Sequence, residues 1–235
     1  MEILVIGKKA KYIEKQLPNY NLKLSNNPQI IISYGGDGTI LLSERFYPEI
    51  PKLFLRHSRN CSKCLQHDFS NILNSLEKGN YKIKKELKLE ALHIRTKKKL
   101  IALNEINIHH KLPLATRFQV KINNKIIEKN IIGDGVIFST PFGSTSYYQS
   151  ITGKNFEKGI GMAFINPMRH LEISSKAKNR ILKNNDIAKV KILRDPGYLT
   201  ADNNEDIIRL RNNDIIEIKK HPKYAKLITI KNISV

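Results

Sequence analysis

The 235-residue sequence predicts an α/β unit followed by an all-β one. Two textures carry that expectation. Up to about residue 86, short apolar runs alternate with helix-like stretches; beyond it, short apolar or period-two segments follow one another with few helical windows. Hydrophobic residues make up 40% of the chain, enough for a packed core even with a formal net charge of +20. Either one large or two small domains suit this length. The change of texture divides the chain into 1–86, an α/β domain, and 87–235, a β-rich domain.

The opening run at 3–6 reads as a strand, because only five apolar residues precede the first lysines. Helical windows at 8–17, 39–46 and 69–78 alternate with further strands at 30–33 and 52–55, which makes βαβ units and a small parallel sheet. In the second part strands are expected at 88–96, 100–109, 116–122, 126–128 and 131–139. Others follow at 162–165, 188–193, 207–210, 215–218 and 227–230, with one helix beginning near Thr145. Asparagine pairs supply the turns: Asn123-Asn124, Asn184-Asn185, Asn203-Asn204 and Asn212-Asn213.

Lysine and arginine total 41 against 21 acidic residues, so anionic partners are the first suspects. Lysine outnumbers arginine about three to one and is spread evenly, tryptophan is absent and aromatics are only 7%. That pattern fits a solvated lysine coat better than a nucleic-acid interface, which needs basic stripes and stacking platforms. The best apolar runs, 29–34 and 131–139, fall far short of the ~20 residues a spanning helix requires. With no signal peptide visible, a cytoplasmic enzyme or binding protein that does not engage a membrane is expected.

Chemistry concentrates in four places. Gly35-Gly36-Asp37-Gly38-Thr39 follows a buried-strand pattern and opens a helix, where backbone N–H groups and the helix dipole favour phosphate. The Asp37 carboxylate would be repelled by bare phosphate. A substrate hydroxyl suits it, and it can accept that proton as the oxygen attacks a phosphoryl group. The alternative is an ordinary left-handed turn with Asp37 as helix N-cap. A second cluster runs from Gly133-Asp134-Gly135 to Ser139-Thr140-Pro141-Phe142-Gly143-Ser144-Thr145-Ser146-Tyr147. Six hydroxyls in nine residues suit a ligand with base-edge and ribose groups, whereas capping accounts for two or three. Third, Asn104 and Glu105 fall on opposite faces of a regular strand, and reach one site only from a strand end or a bulge. Fourth, His57, Cys61, Cys64 and His67 form H-x3-C-x2-C-x2-H, readable as a crowded zinc site, a disulfide, or loop residues, the last being favoured.

Taken together, GGDGT at 35–39, NE at 104–105, GDG at 133–135 with STPFGSTSY at 139–147, and AD at 201–202 resemble the NAD kinase family in order and spacing, as a short archaeal-like member. GGDGT alone is shared with phosphofructokinases and lipid kinases; the NE pair and the GST-S-Y segment separate NAD kinases from both. The resemblance implies a Rossmann-like or phosphofructokinase-like α/β domain, a β-sandwich-like domain, and an active site between them. It implies Asp37 as proton acceptor from the 2′-hydroxyl of the adenosine ribose, beside Gly38. Asn104, Glu105, Asp134, Thr145, Ser146, Tyr147 and Ser150 would bind the dinucleotide, with Ala163 as a small pocket residue. Asp202 and Asn203 would form the turn at the nicotinamide end. The implied substrates are NAD and ATP or polyphosphate, with Mg²⁺ or another divalent cation on the donor, in a dimer or tetramer. Departures from the family pattern are Ser146 for alanine, Ile132 for arginine before GDG, and the 57–67 segment in place of G-x-L-G-F. A lipid or sugar kinase and a non-catalytic nucleotide-binding regulator stand as alternatives.

Overall fold

Isoleucine runs build the first sheet. Ile30, Ile31, Ile32 and Ser33 are all buried, the pattern of a parallel strand covered on both faces. In the computed structural model, which describes residues 1–57, 63–65, 69–110, 112, 114–168 and 177–230, they form β3 (Ile30–Gly35). Its sheet also holds β1 (Glu2–Ile6), β2 (Lys23–Leu24), β4 (Lys52–Arg56), β5 (Tyr81–Glu86) and the last strand, β18 (Ala225–Ile230). The order is β2-β1-β3-β4-β18-β5, parallel throughout except for the β18–β5 pair. Helices α1 (Ala10–Glu14), α2 (Asp37–Phe46) and α3 (Phe69–Glu77) complete this unit. The window at 8–17 shortens to α1 and a 3-10 turn at Leu17–Asn19, because Pro18 has no N–H to continue an α-helical ladder.

Lys52 is fully buried in β4. Its ammonium lies 2.6 Å from Glu44 of α2 and donates to the carbonyls of Tyr47 (2.7 Å) and Ile50 (2.8 Å). An ammonium has three donors, so this arrangement makes burial tolerable and ties the C-terminal end of α2 to the sheet.

The chain divides into Met1–Glu86 with Tyr224–Val235, and Leu87–Lys223. The sequence assigns everything from residue 87 onward to the second domain. The structure instead returns β18 to the first, between β4 and β5. An alternating apolar strand carries no mark of which sheet it joins.

The second unit contains β6 (Leu89–His93), β7 (Lys99–Ala102), β8 (Glu105–His110), β9 (Thr116–Ile122), β10 (Lys125–Gly133) and β11 (Gly135–Ser139). It continues with β12 (Ile160–Ile165), β13 (Arg180–Leu182), β14 (Ala188–Arg194), β15 (Gly197–Ala201), β16 (Ile208–Arg209) and β17 (Ile215–Lys220). Two antiparallel sheets result, β10-β9-β14-β17-β6-β7 and β13-β12-β11-β8-β15-β16. Alternation fills the core shared by both sheets: Phe118, Val120, Val190 and Ile216 from the first, Ile106, Val136, Phe138, Phe164 and Leu199 from the second. Phe118 and Phe164 stack at 6.1 Å. A 3-10 turn at Gly143–Thr145 leads into α4 (Tyr147–Thr152), close to where the sequence places a helix.

Among the described residues, every sheet edge carries an exposed cation: Lys23 and Lys85 on the first sheet, Lys125 and Lys99 on the second, Arg180 and Arg209 on the third. Charge on an edge opposes pairing with a foreign strand.

In the second unit His93 and Asp214 are buried together, 3.0 Å apart. Arg95 grips the same carboxylate through Nε at 2.7 Å and Nη2 at 3.0 Å, and the Arg211 N–H donates to it at 2.7 Å. The Arg95 guanidinium, helped by the Arg211 amide and by His93, holds the Asp214 carboxyl down at about 2 against the opposing effect of burial. A depressed folded-state value means that this stabilisation is complete above the unfolded value and disappears as pH falls from about 4 to 2. Asp214→Asn should therefore lose about 2 kcal/mol at neutral pH. Urea midpoints of variant and parent should converge on acidification through that window; a gap that stays constant to pH 2 refutes this account.

Candidate functional site

The glycine-aspartate turn of the first unit begins where β3 ends. Gly36 is the N-cap of α2 in extended conformation, with no side-chain capping bond, and Asp37 is the first helical residue. Glycines 35, 36 and 38 all avoid the left-handed region, so the alternative of a left-handed turn capped by Asp37 is not what forms. Crowding explains Gly35 instead, since a Cβ there would overlap the Thr39 side chain. Asp37 is half-buried and Gly38 exposed, which leaves a carboxylate at the mouth of a helix N-terminus, where an anion is also favoured.

In the second unit three strand ends meet. β8 runs antiparallel to β11 and β15, so its beginning lies between their ends, with Glu105 opposite Ser139 and Ile106 opposite Ala201. The turn after β15 places Asp202 at φ 51°, a left-handed conformation that aspartate tolerates. Its carboxylate accepts the backbone N–H of Leu103 (2.9 Å), Asn104 (2.8 Å) and Glu105 (3.0 Å), while its own N–H donates to the Glu105 carbonyl (2.9 Å). Three successive amides turned to one acceptor break the strand that the sequence predicts over 100–109 into β7 and β8. Asn104 thus stands before the strand and Glu105 begins it.

The hydroxyl-rich segment clamps the same turn from the other side. Thr140 Oγ1 donates to the Leu103 carbonyl (2.6 Å) and accepts the Gly143 N–H (2.9 Å), and the Thr140 N–H donates to the Asn104 carbonyl (2.8 Å). Ser139 Oγ donates to the Asn104 carbonyl (3.3 Å), and Ser144 Oγ to the carbonyls of Pro141 (2.8 Å) and Phe156 (3.1 Å). Gly143 lies against Asn104 so closely that any Cβ would overlap the Asn104 backbone. Ser139, Thr140 and Ser144 are thus buried scaffold, whereas Thr145, Tyr147 and Ser150 are exposed and Ser146 half-exposed. The Asn104 side-chain amide points at Ser146 Oγ, 3.5 Å away.

A cavity of about 350 Å³ in this unit is lined by Asn107, His109, His110, Asp134, Tyr147 and Ile165, among others. The exposed Asp134 accepts from Asn166 Nδ2 at 3.3 Å. Asn107 Oδ1 is buried with no hydrogen-bond partner among the described residues, which makes that wall receptive to a ligand donor. His109 Nδ1 donates to the His110 carbonyl at 2.8 Å. Asn107 and His109 are additions to the residues singled out from sequence; their shared strand face with Glu105 is the signal that points to them. Ala163 is fully buried against Ile137 and Tyr148, underneath α4, and Asn203 is exposed beside Asp202. Of the histidine-cysteine motif, Cys64 is buried, with Sγ 3.9 Å from the Gly35 carbonyl oxygen; Cys61 and His67 lie outside the described residues. No group of three or more histidine, cysteine or acidic side chains able to hold a metal gathers among the described residues.

Residues 103–230, which include the whole of this second constellation, match the family model for the ATP-NAD kinase C-terminal domain. An NAD kinase of Thermoanaerobacter sp. (strain X514) is 30% identical over 212 residues, covering 86% of this chain and 74% of that protein. A bifunctional NADP phosphatase/NAD kinase of Methanocaldococcus jannaschii is 29% identical over 84% of this chain and 35% of its own. In fold, the crystal structure of an NAD kinase from Archaeoglobus fulgidus in complex with ATP superposes with a TM-score of 0.79, covering 98% of this chain and 94% of that one at 20% identity. Yeast NADH kinase complexed with NADH gives 0.76, over 97% and 73%.

Asp202→Ala removes the acceptor of three amides at once. Hydrogen bonds to charged acceptors make this a loss of about 3 kcal/mol. We expect faster amide exchange at Leu103, Asn104 and Glu105 with Phe118 and Val190 unchanged; uniform acceleration across the unit would show that the carboxylate has no such local role.

Proposed function

The chain belongs to the NAD kinase family, and on that premise we propose that it transfers the terminal phosphoryl group of ATP or polyphosphate to the 2′-hydroxyl of the adenosine ribose of NAD. This is phosphotransfer to an alcohol acceptor, with NADP as product. The observation that carries the reading is the turn built on Asp202, which presents Asn104 and Glu105 side by side at a strand end within the matched segment.

In this reading Asp37 accepts the proton of the 2′-hydroxyl as that oxygen attacks phosphorus. The new O–P bond forms while the bond to the leaving phosphate oxygen breaks, and ADP or a shortened polyphosphate departs. Gly38 lies against the dinucleotide. Asn104 and Glu105 take ribose and base polar groups, and Thr145, Ser146, Tyr147 and Ser150 offer hydroxyls along the exposed face leading into α4. Asp134, Asn107 and His109 line the adjoining cavity, where Asn107 Oδ1 accepts a ligand donor. Ala163 supports this face from beneath through Tyr148. Asp202 holds the turn, with Asn203 beside it. A divalent cation such as Mg²⁺ would be carried by the donor phosphates and would offset charge on the transferred group, the usual habit of an ion that keeps part of its water shell. Assembly into a dimer or tetramer and a cytoplasmic location belong to the same proposal.

Incubation with NAD, Mg²⁺ and a panel of ATP, other triphosphates and polyphosphate should yield NADP with at least one donor; none with any donor overturns the assignment. Because general-base assistance is worth ~10²–10⁴-fold, Asp37→Asn should lower kcat by about that factor and leave the Kd for NAD nearly unchanged. Turnover close to the parent's would remove Asp37 from the chemistry.

A further inference from the structure

The loop after β1 carries an unusual local charge. Lys8, Lys9, Lys11 and Lys15 line a cavity of about 600 Å³ in the first unit, with Glu14 as its one acidic residue. All four lysines are exposed, and no ion pair joins any of them to a carboxylate among the described residues. Lys11 belongs to α1 and Lys15 is its C-cap, in helical conformation, so the two stand one turn apart on the same face. Like charges in that relation destabilise a helix, and α1 has only five residues to resist it. A bound anion would attract all four ammonium groups and offset their mutual repulsion.

The position of the loop gives the anion its identity. β1 and β3 are parallel neighbours, with Ile6 opposite Ser33, so Gly7 falls opposite Tyr34. Gly7 adopts φ 146° and approaches so near that a Cβ would overlap the Tyr34 carbonyl oxygen. Tyr12, on the cavity wall, stacks on Tyr34 at 6.2 Å. The lysine-lined cavity is therefore packed against the last residue before the Gly35-Gly36-Asp37 turn, at the same edge of the sheet. Mutual repulsion among four ammonium groups that form no ion pair among the described residues, with Glu14 the one acidic residue beside them, selects a ligand of several linked negative charges over a single carboxylate or phosphate.

We propose that Lys8, Lys9, Lys11 and Lys15 hold the phosphate chain of the donor, beyond the group that is transferred. This assignment rests on the reading of the chain as a phosphotransferase. The shared chemistry is a linear polyphosphate, whether the tail of a nucleoside triphosphate or inorganic polyphosphate. Lysine suits it because each ammonium acts as a mobile point charge that does not demand one phosphate geometry.

Inorganic tripolyphosphate, titrated calorimetrically into the intact protein at low ionic strength without NAD, is the probe. Lys8→Ala/Lys11→Ala should raise its Kd about tenfold or more. Lys8→Arg/Lys11→Arg should keep most of the affinity. The control is Lys82→Ala/Lys85→Ala, which removes the same charge from β5 of the same unit and should change Kd little. Equal weakening by the two alanine pairs, or no binding to the parent, overturns the proposal in favour of a general positive field. In NADP formation the Lys8→Ala/Lys11→Ala pair should raise the KM of the donor while kcat holds. A rise with ATP alone assigns the loop to a nucleotide tail and a rise with polyphosphate alone to the inorganic chain. An unchanged KM for every donor that supports turnover overturns it. If the parent forms no NADP from any donor, the phosphotransferase reading fails, and the calorimetric comparison still decides whether this loop is a polyphosphate site.

Discussion

A single carboxylate arranges the second unit's constellation. Asp202 receives three consecutive amides, and a peptide that offers three neighbouring N–H groups to one point cannot also be a regular strand, whose amides alternate in direction. The strand gives way, and Asn104 is released from its alternation while Glu105 becomes the first residue of β8. Thr140 then closes the remaining carbonyl groups of the turn, and Gly143 allows the segment bearing Thr140 to lie flat upon it. Strand ends that belong to different parts of the chain, after β11 and after β15, are joined through this one break before β8. Charge-assisted bonds are about twice as strong as neutral ones, which suits a junction that must keep its shape whether or not a ligand is present.

Much of this was legible beforehand, and the rest was hidden for definable reasons. The buried run before Gly35 announced a parallel strand, and hydroxyl density after Ser139 raised the expectation of a ligand face. Density could not tell scaffold from contact. Ser139, Thr140 and Ser144 satisfy backbone groups, while their neighbours Thr145 and Tyr147 face outward, and that division depends on the β8 turn beneath them. β15 escaped notice because it is five residues long, opens on glycine and carries Tyr198 and Thr200 on its outer face. β5 escaped because lysines fill it and Ile83 is exposed, so no apolar period exists to find. The apolar run at 227–230 marks a strand but not the sheet it joins, since membership in a sheet is a long-range property. The Asp202–amide contacts span nearly a hundred positions and no local window contains them.

The excess of lysine also reads differently with the sheets in view. A +20 chain suggests an anionic partner over its whole surface. Instead, cations mark the outer strands of all three sheets, where unpaired N–H and C=O groups would otherwise recruit other chains. Lys52 shows the opposite use, a charge drawn fully inside to brace α2 against β4. Part of the charge thus acts on architecture, and another part, concentrated after β1, has a shape suited to an anion.

The placement of β18 has a consequence for the order in which the molecule comes into being. Among the described residues β5 pairs with no strand but β18, and the ribosome makes β18 after the entire second unit. A nascent chain that has released β1 to β5 therefore holds four strands that can pair and one that must wait, its lysines keeping it solvated. Domains usually assemble from the N-terminus as they emerge. Here the first unit is completed only after the second has been made, and the second folds as an insertion between two strands that meet once β18 has emerged.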